Sequence, residues 1–422
     1  PLVEHRSAVD ELVVAGEDLA VDETIEDLIQ REDMVITVTH GGYIKRVPVS
    51  TYRAQRRGGK GRTGMSIKDD DLVINVFVAS THTPLLFLSS KGLAYRLKTY
   101  RLPQGGPSTR GKAMVNILPL SKDEIITTIL PLPEDEQSWN ELQILFATKK
   151  GRVRRNRLSD FASIRANGKI AMKLDADDRL IGASLCDGDQ DVFLASRANQ
   201  VIRFALSQQN SDGAEMGVRI FSGRTSTGVR GMRLKKDDEL IQLALLKSSN
   251  LDSELRREYL QCAQAAKRLK SGAMQENSDE LERDEIRVAK LQQEPMLTMH
   301  QNEEFILSVS SDGMGQLASA YDFRSTGRGG KGIANMDILK RKDVDIVASF
   351  PVLPERDQLL LITDLGQLIR INLSEIRQVG RKSKGVILFD LSEGEKIVSC
   401  AKIEIDDNDL DDDNQTTDGE TT

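Results

Sequence analysis

Long apolar runs are missing from this chain. No stretch of about 18 apolar residues occurs, so no membrane-spanning helix is expected. No basic-then-apolar leader opens it either, and a soluble, non-secreted, cytoplasmic protein is expected. Cysteine is scarce. Cys186, Cys262 and Cys400 stand alone, without CxxC spacing. This points to a reducing compartment and away from a zinc centre. His5, His40, His82 and His300 cluster neither with one another nor with the cysteines, so no metal site is expected. Aromatic residues are 4% of the chain and are not interleaved with its basic residues. That disfavours stacking on the bases of a single strand. An initial Met is also missing. The chain starts at Pro1, and it is expected to be a piece of a longer protein.

Positive charge is scarce only on average. The formal net charge is −7. Residues 1–33 carry eleven Asp/Glu against Arg6 and Arg31, and residues 404–422 carry nine Asp/Glu and no Lys or Arg. The body between them, residues 34–403, is left at +11. An acidic linker, a basic folded body and a disordered acidic tail are expected, since the tail is too poor in apolar residues to fold.

Within the body one pattern recurs at about fifty residues. An apolar strand, a tight turn at Gly or Asn and a second strand lead into a Gly-containing loop, usually basic. The members are ITVTHGGYIKR, LFLSSKGLAYR, LFATKKGRVRR, FLASRANQVIR, LSVSSDGMGQL and LLITDLGQLIR, turning at Gly42, Gly92, Gly151, Asn199, Gly313 and Gly366. Gly and Asn tolerate the positive φ that tight hairpins need. Gly61, Gly111, Gly332 and Gly385 each follow their turn glycine by nineteen residues; Gly168 and Gly228 hold the same place at other spacings. Six units of about four short strands predict an all-β, propeller-like closed array, with Ile36, Val38, Leu86, Leu88, Leu145 and Leu360 in its core. Residues 247–302 interrupt it between units four and five. Their apolar residues fall at helical spacing (Leu255, Tyr259, Cys262, Ala266, Leu269; Leu281, Ile286, Ala289), which predicts a helical hairpin turning near 271–277. It reads as a surface excursion or a docking arm.

The glycine loop QRRGGKGRTGM, residues 55–65, wants an anion. Gly59–Gly64 fits GxGxxG, but no helix pattern follows, as a dinucleotide fold requires. Gly106–Ala113 nearly fits a P-loop, but Ala113 stands where the Mg²⁺-holding hydroxyl belongs, and the repeat makes the segment a hairpin loop. Nucleotide binding is therefore set aside. Backbone phosphates fit better, because Arg and Lys supply charge and donors, and glycines let main-chain N–H groups come close to an anion. The loop has echoes at TGRGGKG (326–332), STRGK (108–112) and GRKSKG (380–385). Four residues after each turn stand Arg46, Arg96, Arg155, Arg203, Leu317 and Arg370, a second basic row. Candidate phosphate contacts are Gln55, Arg56, Arg57, Gly58, Gly59, Lys60, Gly61 and Arg62 in the loop. Lys45, Arg46, Arg96, Arg110, Lys112, Arg154, Arg155, Arg203, Arg328, Lys331, Arg370 and Lys384 join them from the repeats. Double-stranded DNA held by its backbone is the expected partner. A propeller that binds proteins through the 247–302 arm is the rival, and a nucleotide-dependent enzyme the third possibility.

QRRGGKG at 55–61, with HGGYIKR and STYRA before it, resembles the signature box and first blade of the C-terminal domain of the DNA gyrase A protein. The resemblance covers about 34–403 apart from the insertion. It implies a six-bladed β-pinwheel, with strands exchanged between blades, that wraps DNA around a basic rim. It further implies an A2B2 assembly with the N-terminal part of gyrase A and with gyrase B. The nucleophilic tyrosine and the ATP and Mg²⁺ chemistry would then lie outside this chain, which itself would be monomeric, without cofactor or catalysis. The box distinguishes gyrase from the related topoisomerase IV protein, the alternative within DNA-binding domains. The tail reads either as a solubilising segment or, as the resemblance implies, as a DNA mimic that would compete for the rim. The insertion departs from the plainest family pattern and leaves open how blades four and five close.

Overall fold

The computed structural model describes residues 26–51, 73–106, 108–209, 216–223, 226–248, 251–271, 278–338, 341, 343–365 and 367–404. The six repeats are six antiparallel sheets. Blade 1 is built on the hairpin Asp33–Thr39 and Tyr43–Pro48, with Val73–Ser80 on its inner side. The hairpins of blades 2 to 6 are Pro84–Ser89 with Leu93–Lys98, Gln143–Thr148 with Arg152–Arg157, Gln190–Ser196 with Gln200–Ala205, Phe305–Ser310 with Met314–Ser319, and Asp357–Thr363 with Leu368–Asn372. Their inner strands are Ile126–Pro131, Leu180–Cys186, Leu240–Lys247, Ile346–Val352 and Ile397–Glu404.

The fourth strand of each blade is borrowed. Lys112–Ala113 follows the blade 2 hairpin in the chain, yet pairs with Tyr43–Ile44 of blade 1. Lys169–Ile170, Val229–Arg230, Ile333–Ala334 and Val386–Ile387 likewise step back to blades 2, 3, 4 and 5. Among the described residues blade 6 has three strands. The exchange explains the second glycine row. Gly111 has φ +87°, and a Cβ there would lie 2.5 Å from the Ile44 carbonyl oxygen; at Gly228 (φ +74°) it would lie 2.3 Å from that of Val153. These glycines are dictated by close contact with the preceding blade's backbone, not by an anion as the sequence pattern suggested.

The core lies between blades rather than within one. Leu85 and Phe87 pack toward Met34, Ile36 and Ile44 of blade 1, whereas Leu86 and Leu88 pack toward Ile144 and Phe146 of blade 3. A strand covered on both faces reads as an unbroken apolar run, which is why PLLFLS does not alternate. The ring closes where Ile397–Glu404 of blade 6 meets Val73–Ser80 of blade 1. Inner strands of five blades line a central cavity of about 570 Å³.

The insertion forms helices Ser253–Ser271 and Ser278–Lys290, then a short third helix, Met296–Gln301, that the spacing did not reveal. Arg268–Asp284 at 2.6 Å and Lys290–Glu258 at 2.6 Å tie the two long helices antiparallel. Tyr259, Cys262 and Met299 bury against Tyr321, the residue just past the blade 5 hairpin. Leu281 and Ile286, expected on the apolar face, are exposed.

Candidate nucleic-acid interface

Each borrowed strand is the outermost strand of its blade, so the loop that delivers it runs along the outer edge of the ring. Five such segments lie mostly within the described residues: 101–113, 162–173, 216–236, 323–336 and 376–389. Each carries three or more Lys/Arg and no Asp or Glu. Their charges are presented to solvent: Arg101, Arg110, Lys112, Arg165, Arg219, Arg230, Arg324, Lys331, Arg377, Lys382 and Lys384 are all exposed or half-buried. Successive edges thus form a positive belt from which carboxylates are excluded, and such a belt attracts a long polyanion. Arg110 also stacks 3.9 Å over the Tyr43 ring, which holds its guanidinium at the edge of blade 1.

Among the residues predicted for phosphate contact, Arg110, Lys112, Lys331, Lys384 and Arg370 keep exposed surface. Arg370 donates to Gln358. The rest of the basic row has another task. Its members stand where the crossing loop meets the blade, in isolated parallel bridges Arg46↔Gln104, Arg155↔Ile220, Arg203↔Ser325 and Leu317↔Gln378. Arg46 donates from Nε to the Leu102 carbonyl at 2.8 Å, inside its crossing loop. Arg203 and Arg155 are 3% exposed and Arg154 is 0% exposed. Arg203 pairs with Asp191 at 2.6 Å and donates to the Ala320 carbonyl at 2.7 Å. Arg155 donates to Ser207 Oγ at 2.7 Å. Arg154 donates to Asn156 Oδ1 and to the Ser226 carbonyl, 2.9 and 2.7 Å away. Lys45 is 2% exposed, with Nζ on the carbonyls of Gly106 and Thr109; burial lowers its pKa. Arg96 pairs with Glu136 at 2.8 Å and lies over Trp139. Arg328, half-buried, donates to the carbonyls of Gly217 and Arg230. Apart from Arg96, which holds the Glu136–Asn140 turn, these side chains clamp the crossing loops. As a set of phosphate contacts, Lys45, Arg154, Arg155 and Arg203 are corrected by their burial.

The box residues Gln55, Arg56, Arg57, Gly58, Gly59, Lys60, Gly61 and Arg62 lie outside the described residues, as do Gly366, most of the acidic linker and the tail beyond residue 404. The described end of the linker is not free. Glu26 pairs with Lys98 at 2.9 Å and Arg31 with Glu134 at 2.6 Å. The near-P-loop is not a hairpin loop, because Lys112 bonds to blade 1 and a three-residue turn, Met114–Asn116, follows in place of a helix. No group of three or more metal-ligating residues was found among the described residues. No helix of the described chain is long and apolar enough to cross a membrane.

The pattern also hid a set of carboxylate clips. The hydroxyl residue just before each turn, Ser89, Thr148, Ser196 or Thr363, marks a register shift where the inner strand meets the hairpin. A carboxylate at the start of the inner strand answers it. Thr148 donates to Asp178 at 2.6 Å and Ser196 to Asp238 at 2.8 Å. At blade 2, burial pushes the Glu124 carboxyl up, but bonds from Ser89, the Ser121 amide and hydroxyl, and Tyr95 outweigh it and hold the carboxyl below its usual range. A Ser or Thr three residues before the turn Gly or Asn, with an acid two residues before the inner strand, would have exposed these clips in the sequence.

The sequence model of the family described as "DNA gyrase C-terminal domain, beta-propeller" matches residues 33–80, 83–133, 143–187, 218–247, 304–352 and 357–404; the fourth segment holds the inner strand of blade 4 but not its hairpin. The DNA gyrase A protein of Rickettsia bellii is 49% identical over 383 residues, covering 90% of this chain and 40% of the relative. That of Granulibacter bethesdensis is 43% identical over 400 residues, covering 93% and 42%. That of Escherichia coli is 33% identical over 394 residues, covering 93% and 37%. The chain therefore spans about 40% of the length of the curated relatives it matches. In structure it is similar to the C-terminal domain of DNA topoisomerase IV (TM-score 0.63, 22% identity, covering 89% of this chain and 94% of that one). It is also similar to a DNA gyrase A C-terminal domain (TM-score 0.55, 21% identity, covering 88% and 99%). With six matched segments and strands exchanged between successive blades, the chain belongs to the DNA gyrase C-terminal β-propeller family.

Proposed function

We propose that this chain binds and chirally wraps double-stranded DNA around its outer edge, as the C-terminal part of a gyrase A protein. The observation that carries the reading is the belt of acid-free basic loops on successive blades. Bending a stiff duplex around such a disc costs on the order of 1–6 kcal/mol per 20–30 base pairs, so contacts must recur at every blade. If about ten phosphates are neutralised, log affinity falls against log salt with a slope of about −9. The box loop at 55–62 latches the wrap, and the acidic tail competes for the same belt.

The chain itself carries out no reaction in this reading. It serves an ATP-dependent type II topoisomerase of A2B2 composition in the cytoplasm. The strand-breaking tyrosine lies in the N-terminal part of gyrase A, and ATP and Mg²⁺ act on gyrase B. Alone, the chain is a monomer. Sealing nicked plasmid with ligase in its presence tests the reading. A linking-number shift of one sign that grows with protein is expected. Clear binding with no shift would mean that the belt holds DNA without wrapping it, and would overturn the proposal.

A further inference from the structure

The insertion sits beside a turn that gathers arginines from three directions. Ala320–Asp322 closes the blade 5 hairpin, and its three carbonyls are each taken by a different element. Arg203 of blade 4 donates to Ala320 O at 2.7 Å. Arg256 of the first insertion helix donates to Tyr321 O at 2.8 Å. Arg381, from the loop that crosses from blade 6 to blade 5, donates to Asp322 O at 3.3 Å and also to Ala334 O. Exposed Arg324 follows two residues after the turn, and exposed Arg257 is the helix neighbour of Arg256. Among the described residues, neither Arg257 nor Arg324 has an ion-pair partner. Asp322 is held above its usual range because burial outweighs the cations Arg381, Lys267 and Arg256 around it, and Asp252 at the start of the helix faces Arg257. Two carboxylates, Asp252 and Asp322, leave the guanidinium groups of Arg256, Arg257, Arg324 and Arg381 in excess.

The charge of the insertion is also sorted. The helix against the ring, Ser253–Ser271, has five Lys/Arg and two Asp/Glu; the outer helix, Ser278–Lys290, has three and five. The overall balance of nine basic to ten acidic residues expected across 247–302 hides this split. Arg256 and Arg257 moreover stand in the first turns of their helix, where cations oppose the macrodipole. Asp252 and Glu254 share that helix start, yet Arg257 and Arg324 remain exposed to solvent, where an external anion can reach them.

We propose that the first insertion helix is part of the polyanion track. Arg257, together with Arg324 and Arg381, forms a phosphate station at the junction of blades 4 and 5, so the insertion widens the belt there and does not break it. This rests on the reading that the belt holds duplex DNA, and goes beyond it by giving the insertion a place on the path.

The test uses the whole chain and a linear duplex of roughly 150 base pairs, one persistence length. Affinity is measured by anisotropy across a salt series for wild type, Arg257→Ala, Arg324→Ala and, as a control on the outer helix, Arg283→Ala. Both track variants should give a salt slope shallower by about 0.9, one contact each, while the control keeps the wild-type slope. Hydroxyl-radical footprints should lose protection at one minor-groove passage in Arg257→Ala. A wild-type slope and footprint in Arg257→Ala would overturn the proposal and leave the belt intact. Equal loss in Arg283→Ala would overturn it as well, because the effect would then be net charge alone. Absence of salt-dependent duplex binding by wild type would remove the underlying reading and this inference with it.

Discussion

Arg203 Nε lies 2.6 Å from the Asp191 carboxylate, and both side chains are 2% exposed. A buried pair of this kind specifies position more than it adds stability, and removing one partner strands the other charge. Asp191→Ala should destabilise the chain by about 3–5 kcal/mol in urea melts. Replacing both with apolar residues of similar size, Asp191→Leu with Arg203→Met, should recover much of that loss. If Arg203→Met weakened DNA binding with unchanged stability, the clamp assignment would be wrong.

The exposed edge cations should behave in the opposite way. Lys112→Ala, Lys331→Ala and Lys384→Ala are each expected to change stability by less than about 0.5 kcal/mol. Each should make the slope of log affinity against log salt shallower by about 0.9. Thermal melts and a salt series on the same preparations separate the two groups of residues.

Asn199 replaces glycine at the blade 4 turn with φ +65°. Its side chain donates to the Met336 carbonyl at 2.9 Å and accepts from the Met336 amide at 3.0 Å, which pins the segment that crosses from blade 5. Asn199→Gly keeps the turn but leaves those two buried groups without partners, so a loss of about 1–3 kcal/mol is expected. Asn199→Ala should cost more, since alanine also resists positive φ. A chemical melt in which glycine is neutral would show that the two bonds contribute nothing.

Acid should loosen the Glu124 clip and the ion pairs that Glu239 makes with Lys149 and Arg197. The folded Glu124 and Glu239 carboxyls lie below the ordinary 4.5. Burial opposes this at both sites; hydrogen bonds outweigh it at Glu124, and Lys149 and Arg197 do so at Glu239. A depressed carboxyl contributes stability above its unfolded pKa and loses it as pH falls through the folded one. Melting temperature should therefore decline below about pH 4.5, and less steeply in Glu124→Gln. At the alkaline end Tyr95, pushed from 10.0 to about 12 by burial and by Glu124, should withdraw stability as pH rises above 10.0. A Tyr95→Phe variant should flatten that limb.

Gly228→Ala meets two obstacles, a φ of +74° and a Cβ placed 2.3 Å from the Val153 carbonyl oxygen. Blade 3 would then bind its borrowed strand Val229–Arg230 poorly, and a loss of several kcal/mol is expected. Amide exchange should speed up first along Arg152–Arg157, the strand that receives it. Uniform acceleration over all six blades would point to global unfolding instead.

The sequence alone determined whatever is governed locally. The turn glycines and Asn199 need positive φ at one residue, and the apolar runs need two covered faces; both leave a periodic trace, so six units and the insertion could be read directly. The basic character of the loops was legible for the same reason. Tertiary structure decided which charges face outward. The position four residues after a turn gives the phase of Arg46, Arg155 and Arg203 along a strand, but what covers them is a loop contributed by the next repeat, dozens to more than a hundred residues away. Burial is a property of that crossing, and no local pattern encodes it. The same holds for Gly111 and Gly228, whose spacing was visible but whose cause, the backbone of the preceding blade, was not. Strand exchange converts part of a repeated basic motif into internal clamps and leaves the rest as the belt.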